Sequence, residues 1–165
     1  MKIFRLLLVV SVGFAQQAKP QPEVNASTVV FVCEHGAAKS VIAAAHFNRL
    51  ASELKLPYRA VARGTNPDDA VAPAVQTRLA AEGLDVSAWK PKLVSDDDIK
   101  RAGQIVSLAT DLPAQKPSAK PKLLEWNDIP PVSQDYTAAR AAIVREVEAL
   151  VKKLAAEKST SEARK

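Results

Sequence analysis

The single cysteine of the chain stands in FVCEHGAAKS, residues 31 to 40, between a β-branched run and a helical pattern. A strand that runs through a short loop into a helix presents successive backbone N–H groups and the positive end of the helix dipole to the loop's occupant. The natural guest is an anion. A thiol at the base of that concavity feels the same field, which favours the thiolate, the nucleophilic form. Cys33 is therefore a candidate nucleophile and Ser40 a candidate hydroxyl donor to its sulfur. The candidate anion cradle is Glu34, His35, Gly36, Ala37, Ala38 and Lys39. Gly36 allows a left-handed turn without penalty, and Lys39 adds a fixed positive charge. The competing reading is structural. Free cysteine is among the most buried residue types, so Cys33 would then finish a strand, with Lys39 on the helix surface paired to Glu34.

The elements that must position these residues are readable from periodicity. Thr28 to Val32 (TVVFV) has the pattern of a buried strand, and from Ala38 to Leu54 the apolar residues Val41, Ile42, Ala45, Leu50 and Leu54 recur at helical spacing. Further strands are expected at Tyr58 to Ala62, Gln104 to Ala109 and Leu123 to Trp126. A helix is expected from Pro73 to Glu82, with Pro at its first position and Gly83 beyond its end. Ser95-Asp96-Asp97-Asp98 opens a short capped helix; three adjacent Asp residues suit a helix N-terminus and lack metal-ligand geometry. The last helix, about Asp135 to Glu157, carries Tyr136, Ala139, Ile143, Val147, Leu150, Val151 and Leu154 on one face. Alternating strands and helices with apolar strands imply an α/β domain whose parallel sheet is covered by helices. Ligands of such sheets bind at the C-terminal ends of the strands, where Cys33 falls.

At 165 residues the chain has room for one ordinary core. MKIFRLLLVVSVGFAQQ places Lys2 and Arg5 before an apolar run, with Gly13-Phe14-Ala15 as a small-residue cleavage site. This is the pattern of a signal peptide, residues 1–15. The run is shorter than the ~20 residues a bilayer requires, and no cysteine follows that could carry a lipid. An uncleaved anchor is the alternative reading. Residues 16–27, polar and proline-bearing, are expected as a flexible leader, 28–157 as the domain and 158–165 as a polar tail. The expected location is periplasmic or secreted, with no stable membrane insertion after cleavage. Loss of residues 1–15 removes Lys2 and Arg5, so the formal charge falls from +5 to +3. That is too small and too dispersed a charge to argue for nucleic acid. Two histidines and one cysteine without short spacing make no zinc site, so no metal and no cofactor is expected. A lone cysteine also excludes an internal disulfide. A monomer is expected.

The spacing Cys33-x5-Lys39-Ser40 at the end of a first strand resembles the C-x5-R-S signature of the low-molecular-weight protein tyrosine phosphatase superfamily, which includes thioredoxin- and thiol-coupled arsenate reductases. His35-Gly36-Ala37 resembles the His-Asn-Ala run of some of the reductases. Arg63-Gly64-Thr65 is similar to the family's Ser-Ala-Gly-Thr, and Gly83-Leu84-Asp85 to its helix-end segment. Trp126-Asn127-Asp128-Ile129-Pro130 stands where its acid-bearing Asp-Pro loop belongs. The resemblance implies a flavodoxin-like, four-stranded parallel sheet of the phosphotyrosine phosphatase I type. It also implies attack by the Cys33 thiolate on a phosphomonoester, with Asp128 as acid and then as base for hydrolysis of the thiophosphate. Asp128 before a proline pair is equally an ordinary turn residue. His35 either contacts substrate or faces solvent, and His46 is expected to be structural.

Three differences from the pattern bear on activity. Lys39 replaces the loop arginine, Ile129 separates Asp128 from Pro130, and no second cysteine is present to resolve an adduct. The resemblance thus implies a cysteine-dependent phosphatase. Arsenate reduction with an external thiol and non-catalytic oxyanion binding are the alternatives, with phosphate or arsenate as the ligand.

Overall fold

The computed structural model describes residues 19–112 and 122–162 of the chain. The signal peptide expected at residues 1–15 lies outside them. Four strands, β1 (Thr28–Cys33), β2 (Arg59–Gly64), β3 (Gln104–Leu108) and β4 (Leu123–Trp126), form a parallel sheet in the order β2-β1-β3-β4. Helices α1 (Lys39–Glu53), α2 (Pro73–Ala81), α3 (Asp96–Arg101) and α4 (Tyr136–Glu162) complete the domain. From β1 the chain builds outward to β2 and then returns to place β3 on the other side. The strand order therefore switches beside β1, the place where such sheets open a ligand crevice.

The period-2 alternation of β1 decides what Cys33 faces. Val29, Phe31 and Cys33 join the larger core, with Ala43, Ala44 and Phe47 of α1 and Ile143 and Val147 of α4. Val30 and Val32 point to the smaller core, with Val94, Ile99 and Ile105. Parity thus turns Cys33 toward α1, so that the start of that helix can reach its sulfur. α4 lies against α1 through the face expected for it, where Ala139, Ile143 and Val147 are fully buried.

Both ends of the domain differ from expectation, and β2 runs on to Gly64, past its expected end at Ala62. Within the expected leader, residues 19–27 lie against the domain: Val24 is buried in the smaller core, and Gln21 Oε1 accepts from the backbone N–H of Ala62 in the edge strand β2 at 2.6 Å. At the other end α4 continues to Glu162, past Glu157. Ser159 and Thr160 return their hydroxyls to the carbonyls of Ala155 and Ala156, which keeps these polar residues compatible with the helix.

His46, fully buried on α1, sits in a polar cluster between helices. Arg49 lies 3.0 Å from its Nδ1. Because arginine has no acceptor, this contact requires an unprotonated Nδ1 and puts the proton of the neutral ring on Nε2. Glu82 lies 3.6 Å from Nε2 and is held by Arg140, whose Nε donates to Glu82 Oε1 at 2.7 Å. Burial, then the positive charge of Arg49, pushes His46 from 6.5 down to about 4, although Glu82 opposes them. In that window the unfolded chain takes up the proton first, so stability present above pH 6.5 is lost as the pH falls. The expected loss from this residue is about 3 kcal/mol at pH 4. Urea midpoints of wild type and His46→Gln, measured at pH 7 and pH 4, check it: the variant should lose less stability on acidification. An equal fall in both proteins refutes the assignment.

Candidate functional site

The loop from Glu34 to Ala38 joins β1 to α1 at the C-terminal edge of the sheet. Its carbonyls are tied outward to the segment after β2. Thr65 N donates to Cys33 O (3.1 Å), Asn66 N to Glu34 O (2.8 Å), Asp68 N to His35 O (3.0 Å) and Ala72 N to Ala37 O (3.0 Å). By contrast, none of the backbone N–H groups from Glu34 to Lys39 has an acceptor among the described residues. Gly36 and Ala37 are nevertheless buried. Buried N–H groups without partners are rare because each forfeits a hydrogen bond. A run of them is a set of donors arranged for an acceptor that the described residues do not supply.

The start of α1 has the same character. Its N-cap, Ala38, offers no side-chain hydrogen bond, and no acidic residue lies in the first turn. The orphan donors and the positive dipole end are thus left for the loop. α3 makes the opposite arrangement, closed by the reciprocal capping box of Ser95 and Asp98.

At the base of the loop Cys33 is buried, with Sγ 3.1 Å from Oγ of the fully buried Ser40. In the neutral form the thiol donates to the hydroxyl; in the thiolate form only the hydroxyl can donate. Two glycines bring the loop onto β2. Gly36 has φ +61°, and a Cβ there would meet Gly64 N at 2.8 Å; a Cβ on Gly64 would meet Gly36 N at 2.9 Å. Gly64 is further fixed by its N–H to Lys92 O and its O to Val94 N, both 2.9 Å.

Cys33, Ser40 and the backbone of Glu34 to Lys39 are therefore brought together. The side chains of Glu34 and His35 lie elsewhere: both are exposed, His35 Nδ1 is 3.3 Å from Asp68 and Nε2 is 3.6 Å from Glu34. Glu34 thus approaches His35 rather than Lys39. Asp128 is exposed, two residues beyond β4. Register aligns the ends of β1, β3 and β4, and two strand spacings put Trp126 about 10 Å from Cys33 across the sheet. Asp128 shares the edge of the sheet that carries the loop, and the neighbouring Ile129 anchors its segment in the core that contains Cys33.

Gly64 and Arg63 emerge as supports whose individual roles local patterns do not reveal. The buried Arg63 donates from Nε to Asp98 Oδ2 at 2.9 Å, joining the end of β2 to the cap of α3. The Arg-Gly-Thr run at the end of β2 is the available signal, and Thr65 also reaches the loop, its hydroxyl 3.5 Å from Glu34 O. No group of metal-ligating side chains able to hold an ion occurs among the described residues.

The sequence matches the family described as low molecular weight phosphotyrosine protein phosphatase over residues 28–125. The fold matches an arsenate reductase from Archaeoglobus fulgidus with 30% identity and a TM-score of 0.59, over 75% of this chain and 98% of that one. It matches a low molecular weight protein tyrosine phosphatase from T. tengcongensis with 20% identity and a TM-score of 0.68, over 76% and 98%. The YwlE arginine phosphatase of Geobacillus stearothermophilus aligns with 19% identity and a TM-score of 0.64, over 84% and 96%. No curated protein gives a significant match.

Proposed function

The chain belongs to the low molecular weight phosphotyrosine protein phosphatase family, and on that premise we propose that it hydrolyses a phosphomonoester through Cys33. The observation that carries this reading is the run of N–H groups from Glu34 to Lys39 without acceptors among the described residues, beside the Cys33–Ser40 contact. In the first step the Cys33 sulfur bonds to phosphorus as the bond from phosphorus to the leaving oxygen breaks, and Asp128 gives that oxygen its proton. Ser40 donates to the thiolate, and the loop amides with Lys39 bind the equatorial oxygens. Water, deprotonated by Asp128, then breaks the S–P bond and releases phosphate.

A second reading has support of its own, the 30% identity to an archaeal arsenate reductase. Here Cys33 would displace an oxygen from arsenate as water. Two thiols supplied from outside would then reduce the adduct to arsenite and leave as a disulfide, since no second cysteine is present. Phosphate release from an aryl phosphate, set against arsenite release with and without added thiol, separates the readings. Thiol-independent phosphate release supports the phosphatase; thiol-dependent arsenite release without it supports the reductase. Binding of phosphate with neither reaction leaves a non-catalytic oxyanion-binding protein.

The N-terminal pattern further supports export to the periplasm or the exterior as part of this proposal. Recovery of a mature chain beginning near Gln16 from that compartment tests it, and an intact Met1 end in cytosolic fractions opposes it.

The loop lysine is the expected weak point. An ammonium cannot make the two-pronged contact that a guanidinium makes to a phosphoryl group. One additional charge-assisted hydrogen bond is worth about 1.5–3 kcal/mol, so Lys39→Arg should raise kcat/KM for an aryl phosphate on the order of 10- to 100-fold. An unchanged or lower rate counts against both the guanidinium argument and Asp128 as the acid.

A further inference from the structure

A cavity of about 600 Å³ opens at the end of the domain away from Cys33, between the C-terminal half of α1, the start of β2 and residues 83–89. Arg59, on its wall, is five residue steps from Gly64, the register partner of Cys33, or roughly 16 Å along β2. The size is that of a small-molecule site.

Its lining combines an apolar wall with guanidinium groups that form no direct ion pair among the described residues. Val86 is buried, Leu84 and Trp89 are half-buried, and the indole N–H of Trp89 is committed to Lys19 O at 3.1 Å. That bond leaves the ring only its carbon surface to offer. Arg49 is engaged with the neutral His46 Nδ1, and Arg59 with the carbonyls of Leu56 and Tyr58. Neither guanidinium has a carboxylate within ion-pair distance among the described residues. Holding a cation by neutral acceptors fixes its position without pairing its charge directly; Glu82, which also feels Arg49, is already bound by Arg140.

The net charge of the lining narrows the guest. Lys19, Arg49 and Arg59 face Glu53 and Asp85, an excess of one positive charge. A monoanion is matched by that balance, whereas a dianion or a neutral molecule is not. We propose that this cavity is a second ligand site, separate from the Cys33 loop, which binds an aromatic monocarboxylate with its ring against Trp89 and its carboxylate on Arg49 and Arg59.

The test uses 1-naphthoate, followed through the indole N–H signals of the protein's two tryptophans in 1H–15N spectra. Trp89 should shift saturably, with Kd below about 1 mM, while Trp126 stays in place. Naphthalene-1-methanol, the neutral analogue, and 1-naphthylphosphonate, which cannot be hydrolysed and is used above its second ionisation so that it is a dianion, should each bind at least tenfold more weakly. Arg59→Glu, at an exposed position, should weaken naphthoate at least tenfold with an unchanged melting temperature. Excess inorganic phosphate should not displace it. The absence of a saturable Trp89 shift, equal binding of the alcohol, or full affinity in Arg59→Glu overturns the proposal. Displacement by phosphate overturns it too, by moving the ligand to the Cys33 loop. All these readouts are independent of turnover, so failure here is distinct from failure of the phosphatase reading.

Discussion

Replacing Cys33 by Ser is expected to cut aryl phosphate hydrolysis by at least about a thousandfold, a loss of roughly 4 kcal/mol of transition-state stabilisation. The substitution exchanges one atom for a smaller one at a buried position, so the packing around Val29 and Phe31 and the contact to Ser40 should largely persist. What is lost is chemical. A hydroxyl is far less ionised than a thiol and a poorer nucleophile without a neighbouring base, and Ser40 has no proton-accepting power to supply one. The backbone donors of the loop remain, so phosphate affinity should stay within a few-fold of wild type while turnover disappears. That split between binding and kcat distinguishes a nucleophile from a packing residue. Joint loss of affinity and melting temperature would instead mark Cys33 as a structural strand end, and undiminished turnover would exclude it as the nucleophile.

The sheet is legible in the sequence because its strands are short apolar runs, and because α2 and α3 are marked by a starting proline and a capping serine. The site is legible because Cys33, Gly36, Lys39 and Ser40 fall within one turn whose chemistry follows from strand-loop-helix geometry. What local patterns do not carry are interactions between distant segments. Gln21 meets β2 across 41 positions and Arg63 meets Asp98 across 35, so the proline-bearing stretch at 16–27 reads as a leader although Val24 closes a core. Polar composition likewise hides the last turns of α4, where Ser159 and Thr160 satisfy their hydroxyls on the helix itself. The mutual approach of Gly36 and Gly64 has no sequence period at all, yet the cradle rests on it.

That approach makes Gly36→Ala the second large effect. At φ +61° an alanine is strained by about 1 kcal/mol. Its Cβ would also lie 2.8 Å from Gly64 N and 3.1 Å from Arg63 C, both backbone atoms. Neither can rotate aside, because Gly64 is held by Lys92 and Val94, and Arg63 by Asp98. The loop itself must therefore move, and with it the N–H groups from Glu34 to Lys39 that are proposed to hold the oxyanion. Donor alignment in such a site contributes about 3 kcal/mol per group lost, so kcat/KM should fall at least about a hundredfold, with phosphate affinity falling alongside it. A melting-temperature drop equivalent to about 1–3 kcal/mol is expected as well. Binding separates the two effects: at a temperature where the variant is fully folded, phosphate affinity should still be weakened. Cys33→Ser should preserve the cradle and remove the chemistry, whereas Gly36→Ala should preserve the thiol and remove the cradle. If Gly36→Ala, folded, binds phosphate as tightly as wild type, the backbone of this loop is not the anion site.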